Sequence, residues 1–130
     1  MADLLVVDDD ADTLELVSLI LCRAGHSVLQ TQRGTDVLTQ VVKNHPDAII
    51  LDIMLPDLDG FSVAKKIRVA MPDPPPILFF TALGMPDDRA TSYGLGDGYL
   101  TKPVRSNTLL EAVRKVLEAN PKKEEPQTKM

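Results

Sequence analysis

Four short apolar runs in this sequence each end on a side chain that could do chemistry. Leu4-Leu5-Val6-Val7 leads into Asp8-Asp9-Asp10, Ile49-Ile50-Leu51 into Asp52, Ile77-Leu78-Phe79-Phe80 into Thr81, and Tyr99-Leu100-Thr101 into Lys102-Pro103. Brought together, these groups would form a pocket of acids, a hydroxyl and an amine. Clustered carboxylates repel one another, so the arrangement is costly unless a cation offsets the charge or a pKa rises. Magnesium is the simplest remedy, because it needs only one or two carboxylates and keeps waters for an incoming phosphate. Asp52 then has the chemistry of a nucleophile, since a carboxylate attacks phosphorus to form an acyl phosphate. Phosphoryl transfer asks the protein chiefly to position groups and neutralise charge. A metal at Asp8 and Asp9 would hold one phosphoryl oxygen, the Lys102 ammonium another and the Thr81 hydroxyl a third.

Each residue also has a blander reading. Asp10 and Asp12 are read as solvated acids or caps at a helix start. Asp8 and Asp9 are read as metal ligands because they sit at the strand end itself. Taken singly, Lys102 is a surface lysine and Thr81 a plain strand-end residue. Their coincidence at four strand ends favours the chemistry.

The elements that must position these groups follow from the apolar pattern. Unbroken apolar runs suit strands buried on both faces, as in a parallel sheet. Strands are expected over Leu4–Val7, Ser27–Leu29, Ala48–Ile53, Ile77–Phe80 and Tyr99–Thr101. Between them lie helical periods: Leu14, Val17, Ile20 and Leu21, with Leu16 adjoining; Val37, Leu38, Val41 and Val42; Phe61, Ala64, Ile67, Arg68 and Met71; and Leu109, Leu110, Val113, Val116 and Leu117. Asp10 or Asp12 can cap the first helix and Gly25 supplies its left-handed stop. Gly34-Thr35-Asp36 opens the second, which ends before Pro46. Asp59 or Ser62 can start the third, and Ser106 or Asn107 the last. Pro86-Asp87-Asp88 opens a further helix, expected to be short and mobile, with Gly94, Gly96 and Gly98 crowding its far end.

This alternation implies an α/β fold, a doubly wound five-stranded parallel sheet with right-handed crossovers and helices on both faces. In the flavodoxin-like strand order 2-1-3-4-5, strands one and three are neighbours, so Asp8, Asp9 and Asp52 converge at the crevice beyond their carboxyl ends. Residues 1–119 make one domain. Residues 120–130 are polar and are read as a disordered tail or the cut end of a linker.

Composition narrows the function. The chain has 130 residues, 44% hydrophobic and 25% charged, with a net charge of -5. That charge disfavours direct nucleic-acid binding. No run is long enough to cross a bilayer, and the N-terminus lacks a secretory pattern. The single Cys22 excludes an internal disulfide and is expected to pack in the core. A reducing, cytoplasmic setting is expected.

On four motifs the chain resembles a known family. Val6-Val7-Asp8-Asp9-Asp10, Leu51-Asp52-Ile53-Met54-Leu55-Pro56-Asp57-Leu58-Asp59-Gly60, Thr81-Ala82 and Tyr99-Leu100-Thr101-Lys102-Pro103 are similar to the receiver domain of response regulators in two-component signalling. The resemblance runs from Asp3 to Glu118. It implies that Asp52 takes a phosphoryl group from the phosphohistidine of a sensor histidine kinase or phosphotransfer protein. It implies Mg2+ (or Mn2+) at Asp8, Asp9, Asp52 and the Met54 backbone carbonyl. It implies phosphate contacts from Thr81, Lys102 and the Ala82 backbone, a switch pair of Thr81 and Tyr99, and a cis bond at Pro103. The chain would be a phosphoacceptor and not an enzyme. Its output would be a changed surface between the helix after Thr81 and the fifth strand. That surface would control a downstream protein partner or a lost output domain, and phosphorylation-linked homodimers are a further implied state.

Two departures stand out. Gly98 replaces an acid common in the family before the strand-five aromatic. Met54 and Leu83 are apolar where an attacking water would be oriented, so a long-lived acyl phosphate is expected. Three rival readings compete. A haloacid-dehalogenase-type phosphatase would place an acid where Met54 stands. A flavodoxin-like FMN site would not place Asp8-Asp9-Asp10 against a phosphate. A docking module that never takes phosphate would not need all these reactive groups.

Overall fold

A computed structural model describes residues 2–81 and 97–119; of Thr81 only the backbone is described. Strand β1 (Asp3–Val7) is followed by α1 (Ala11–Arg23), β2 (Ser27–Thr31), a 3-10 turn (Gly34–Asp36), α2 (Val37–Asn44), β3 (Ala48–Asp52), α3 (Gly60–Ala70), β4 (Ile77–Thr81), β5 (Gly98–Thr101) and α4 (Ser106–Glu118). All pairings are parallel and the sheet order is β2-β1-β3-β4-β5. The helix expected from Pro86 and the tail over 120–130 lie outside the described residues.

Because strand side chains alternate between faces, the unbroken apolar runs feed two cores at once. Leu4, Val6, Ile50, Leu78 and Phe80 join α1 and α4 on one face. Leu5, Val7, Ile49, Leu51 and Phe79 join α2 and α3 on the other. Strand β3 is buried at every position, Ala48 to Asp52. At up to about 3 kcal/mol for each fully buried large apolar side chain, these central strands form a rigid platform for whatever stands at their ends.

Local chemistry fixes the helix ends. Asp10 caps α1, its side chain accepting from the Thr13 amide, and Gly25 beyond the helix takes φ +100°, open to glycine. Asp59 caps α3, accepting from the Ser62 amide. That decides between Asp59 and Ser62.

Several expectations fail. Cys22 is exposed, as are Leu16 and Val42 at 55% and 51%. The buried stripe of α1 is Leu14, Val17, Ser18 and Leu21, narrower than its apolar content. Position 22 therefore turns to solvent although its neighbours are apolar. Likewise α2 covers its face with Val37 and Val41, and Val42 lies past the edge. In α3, Val63 is buried in addition to Ala64 and Ile67 of the expected stripe. Neither Ser106 nor Asn107 caps α4. Its N-cap position is Arg105, with no side-chain cap hydrogen bond.

Candidate functional site

The register places the reactive ends side by side. Val7 pairs with Leu51, and Asp52 with Phe80. Asp8 therefore stands next to Asp52 at the carboxyl edge of the two central strands, on the side of the sheet that carries Phe80. Both acids are buried, at 1% and 3% exposure. Asp9, one residue on, is exposed. Carboxylate oxygens of Asp8, Asp9 and Asp52 all lie within 4.8 Å of one another.

Lys102, from the end of β5, reaches into this group. Its Nζ stands 2.8 Å from Asp8 Oδ2 and 3.2 Å from Asp52 Oδ2, and 5.1 Å from the centre of the Phe80 ring. It donates a hydrogen bond to Asp52. The closer contact, to the buried Asp8 Oδ2, is an ion pair. The other oxygens are engaged: Asp8 Oδ1 accepts from the Asp10 amide at 2.9 Å, and Asp52 Oδ1 from the Met54 amide at 3.1 Å. The Lys102-Pro103 peptide is cis.

The electrostatics follow from this packing. Burial, and then the charge of Asp8, push the Asp52 carboxyl up to about 6, against the pull of Lys102 and the Met54 amide. Burial works to lower the pKa of Lys102, but the contacts with Asp8 and Asp52 outweigh it and hold the ammonium above its usual value. Asp10 is lowered, chiefly by its bonds to Thr13, which suits a cap. Three carboxylates against one ammonium leave negative charge uncompensated when all are ionised. The clustered acids and their hard oxygen donors therefore fit a divalent cation such as Mg2+.

Other expected residues are placed less completely. The Thr81 backbone is opposite Thr101 in the ladder, next to the strand end that carries Lys102. Ala82 and Leu83 lie outside the described residues. Tyr99 is half-buried and packs against the α2–α3 core. Met54 is bound to Asp52 through its amide, with its side chain 55% exposed.

The sequence reading assigned no role to Asp57. Its two carboxylate oxygens accept from the Gly34 and Thr35 amides, each at 3.0 Å. The Thr35 bond first, then that of Gly34, lower its pKa to about 2. The only local signal was an acid in a turn after proline; the partner lies more than twenty residues away.

Comparison with known proteins agrees with this geometry. The family described as "Response regulator receiver domain" matches residues 4–114. The DNA-binding dual master transcriptional regulator RpaA of Synechocystis is 39% identical over 119 residues, 90% of this chain and 49% of that protein. Response regulator MprA of a Mycobacterium is 38% identical over 115 residues, 88% of this chain and 50% of its own length. The chain thus spans about half the length of these curated relatives. Among solved structures, a CheY-like receiver domain protein from Methanospirillum hungatei superposes with a TM-score of 0.86 at 25% identity, covering 95% of this chain and 98% of that one. No helix among the described residues is long and apolar enough to cross a membrane. With its sheet order, its acid cluster and the family match in agreement, the chain belongs to the response regulator receiver domains of two-component signalling.

Proposed function

We propose that this domain is a phosphorylation-dependent switch that accepts a phosphoryl group on Asp52 from the phosphohistidine of a sensor kinase or phosphotransfer protein. The observation that carries the reading is the Lys102 ammonium held between Asp8 and Asp52 beside a third carboxylate. That cluster has a charge and size suited to one tetrahedral anion with one divalent cation.

In the proposed step an oxygen of Asp52 bonds to phosphorus. The bond to the donor imidazole breaks, and its electron pair stays on nitrogen. Asp52, with a pKa near 6, is mostly ionised at neutral pH and ready to attack. The Lys102 ammonium passes from the carboxylate to a phosphoryl oxygen, and Thr81 with the Ala82 amide takes others. Bound Mg2+ (or Mn2+), held by Asp8, Asp9, Asp52 and the Met54 carbonyl, would supply neutralisation of the phosphoryl charge. Tyr99 and Thr81 then move as a pair, and the surface beside β5 changes for a partner.

Met54 carries no group that could activate water, which favours a persistent acyl phosphate and a phosphoacceptor over a turnover enzyme. We place the domain in the cytoplasm, where kinase and phosphoryl donor meet. Output passes to a downstream protein or to a further segment of the same protein, and DNA contact, as named for RpaA, would belong to such a segment. The test is intact mass after incubation with acetyl phosphate and Mg2+. The wild type gains one phosphoryl group and Asp52→Asn gains none. A gain in both, or in neither, overturns the assignment.

A further inference from the structure

The connection between β2 and α2 supplies none of the acids of the site, yet it touches both loops that do. The Thr31 carbonyl accepts from the Asp8 amide at 3.1 Å. Gln32 Nε2 donates to the Asp9 carbonyl at 3.3 Å. Two residues on, the Gly34 and Thr35 amides both donate to Asp57, in the loop that joins Asp52 to α3. The two loops meet there backbone to backbone. A Cβ at Gly34 would lie 2.8 Å from the Leu58 carbonyl oxygen and 3.1 Å from Leu58 Cβ. One turn therefore joins the strand-one acids to the strand-three loop.

The loop from Ile53 to Asp59 is anchored at its start by the buried side chains of Ile53 and Leu55 in the α2–α3 core and by the Ile53 amide, which donates to the Phe80 carbonyl at 3.2 Å. The Gly60 amide donates to the Ile53 carbonyl at 2.7 Å and closes its base, and a Cβ on Gly60 would collide with the Asp52 carbonyl at 2.6 Å. The Met54 amide is held by Asp52. Between Met54 and Asp59, among the described residues, the side-chain hydrogen bonds to another element are those of Asp57. The direction of the Met54 carbonyl is thus set by Asp52 before it and, after it, by the buried Leu55 and by the hydrogen bonds of Asp57.

We propose that Asp57 is a positioning residue for the divalent cation. By clamping the Gly34 and Thr35 amides it helps fix the loop that presents the Met54 carbonyl, and it ties the filling of the site to the 3-10 turn that leads into α2. Gln32, two residues before that turn, steadies the Asp9 loop. This rests on the metal-site reading given above. Groups behind the ligands commonly govern metal affinity by orienting them, at a cost of ten- to a hundredfold when lost. Asp57 acts through backbone, so the lower end of that range is expected.

The test is Mn2+ binding to the full, unphosphorylated chain, followed by the electron paramagnetic resonance of free Mn2+, with amide NMR during a Mg2+ titration. Asp57→Ala should weaken Mn2+ binding about tenfold. Asp57→Asn keeps one acceptor oxygen and should fall between it and the wild type. Gly34→Ala leaves every charge in place but forces the two loops apart, and should weaken binding as well. In the wild type, Mg2+ should shift the Gly34 and Thr35 amide resonances; in Asp57→Ala that response should vanish. Wild-type affinity in Asp57→Ala would overturn the proposal. So would equal losses in the Ala and Asn variants with none in Gly34→Ala, the pattern of a simple charge effect. Should Asp57→Ala not fold, the Asn and Gly34→Ala variants decide the matter. Asp9→Asn separates the two claims: wild-type Mn2+ affinity in that variant removes the metal site itself, and the role of Asp57 with it.

Discussion

The middle of β3 and its end are built for opposite purposes. Ile49, Ile50 and Leu51 are fully buried among apolar neighbours on both faces of the sheet. One residue further, Asp52 is buried almost as deeply, beside a second buried acid, and its pKa is pushed up to about 6. The first stretch lowers the free energy of the fold. The second raises it, because a charge in low dielectric beside a like charge is unfavourable. A parallel sheet allows this pairing of opposites. Its apolar interior over-determines where the strand ends fall, so the ends can hold groups that would not choose to be together.

Mutation should affect the middle and the end of β3 differently. Leu51→Ala should cost about 2–5 kcal/mol through lost burial and a residual cavity, read from urea unfolding. The same variant should leave Mn2+ affinity nearly unchanged under conditions where it is folded. A large loss of affinity would show that the middle and the end are not separable.

Next in size is the response to metal. Mg2+ at about a hundred times its dissociation constant should stabilise the fold by about 2.7 kcal/mol. The gain should be larger above pH 6 than below it, because Asp52 must be ionised to act as a ligand. A thermal melt that is insensitive to Mg2+ at pH 7.5 would contradict the site.

Asp52→Asn should make the metal-free protein more stable at pH 7.5. The rise of the Asp52 pKa from 3.8 to about 6 corresponds to roughly 3 kcal/mol at most. That ceiling already includes the opposing pull of Lys102. The sign with pH follows from linkage. The folded protein holds this proton more tightly than the unfolded chain, so the penalty is complete above pH 6 and absent below 3.8. Metal-free wild type should therefore gain stability as pH falls through that window, with a slope that Asp52→Asn lacks. Equal slopes would place the titration elsewhere.

The smallest effect belongs to Asp57, which is exposed and has the opposite shift. Its pKa is lowered to about 2 by the Thr35 and Gly34 amides. Its contribution is present above pH 3.8 and is lost as pH falls through about 2. Asp57→Asn should flatten that acid limb and leave the limb between pH 4 and 6 intact, as followed by circular dichroism.

What was legible in the sequence divides along the same line. The strands, their order and the convergence of Asp8, Asp9, Asp52 and Lys102 could be read because apolar runs and the residues ending them are local facts. The parallel topology then supplies their neighbours. Where the reading failed, the deciding partner was distant or the local pattern was ambiguous. Cys22 and Val42 sit in apolar surroundings, yet the buried stripe on each helix is narrower than its hydrophobic content. The start of α4 offered Ser106 and Asn107 as caps, and the chain uses neither. Asp57 was one acid among several in a turn, and its importance comes from amides more than twenty residues earlier. No periodicity carries that information.

In the proposed mechanism Asp52, and no other acid of the cluster, carries the phosphoryl group. The direct measurement is to phosphorylate the protein with acetyl phosphate and Mg2+, reduce the acyl phosphate with borohydride, and map the product by peptide mass spectrometry. Reduction turns a phosphorylated aspartate into homoserine, and the account predicts that residue at position 52 alone. Homoserine at position 8 or 9, or at none of the three in protein shown to carry phosphate, would contradict it.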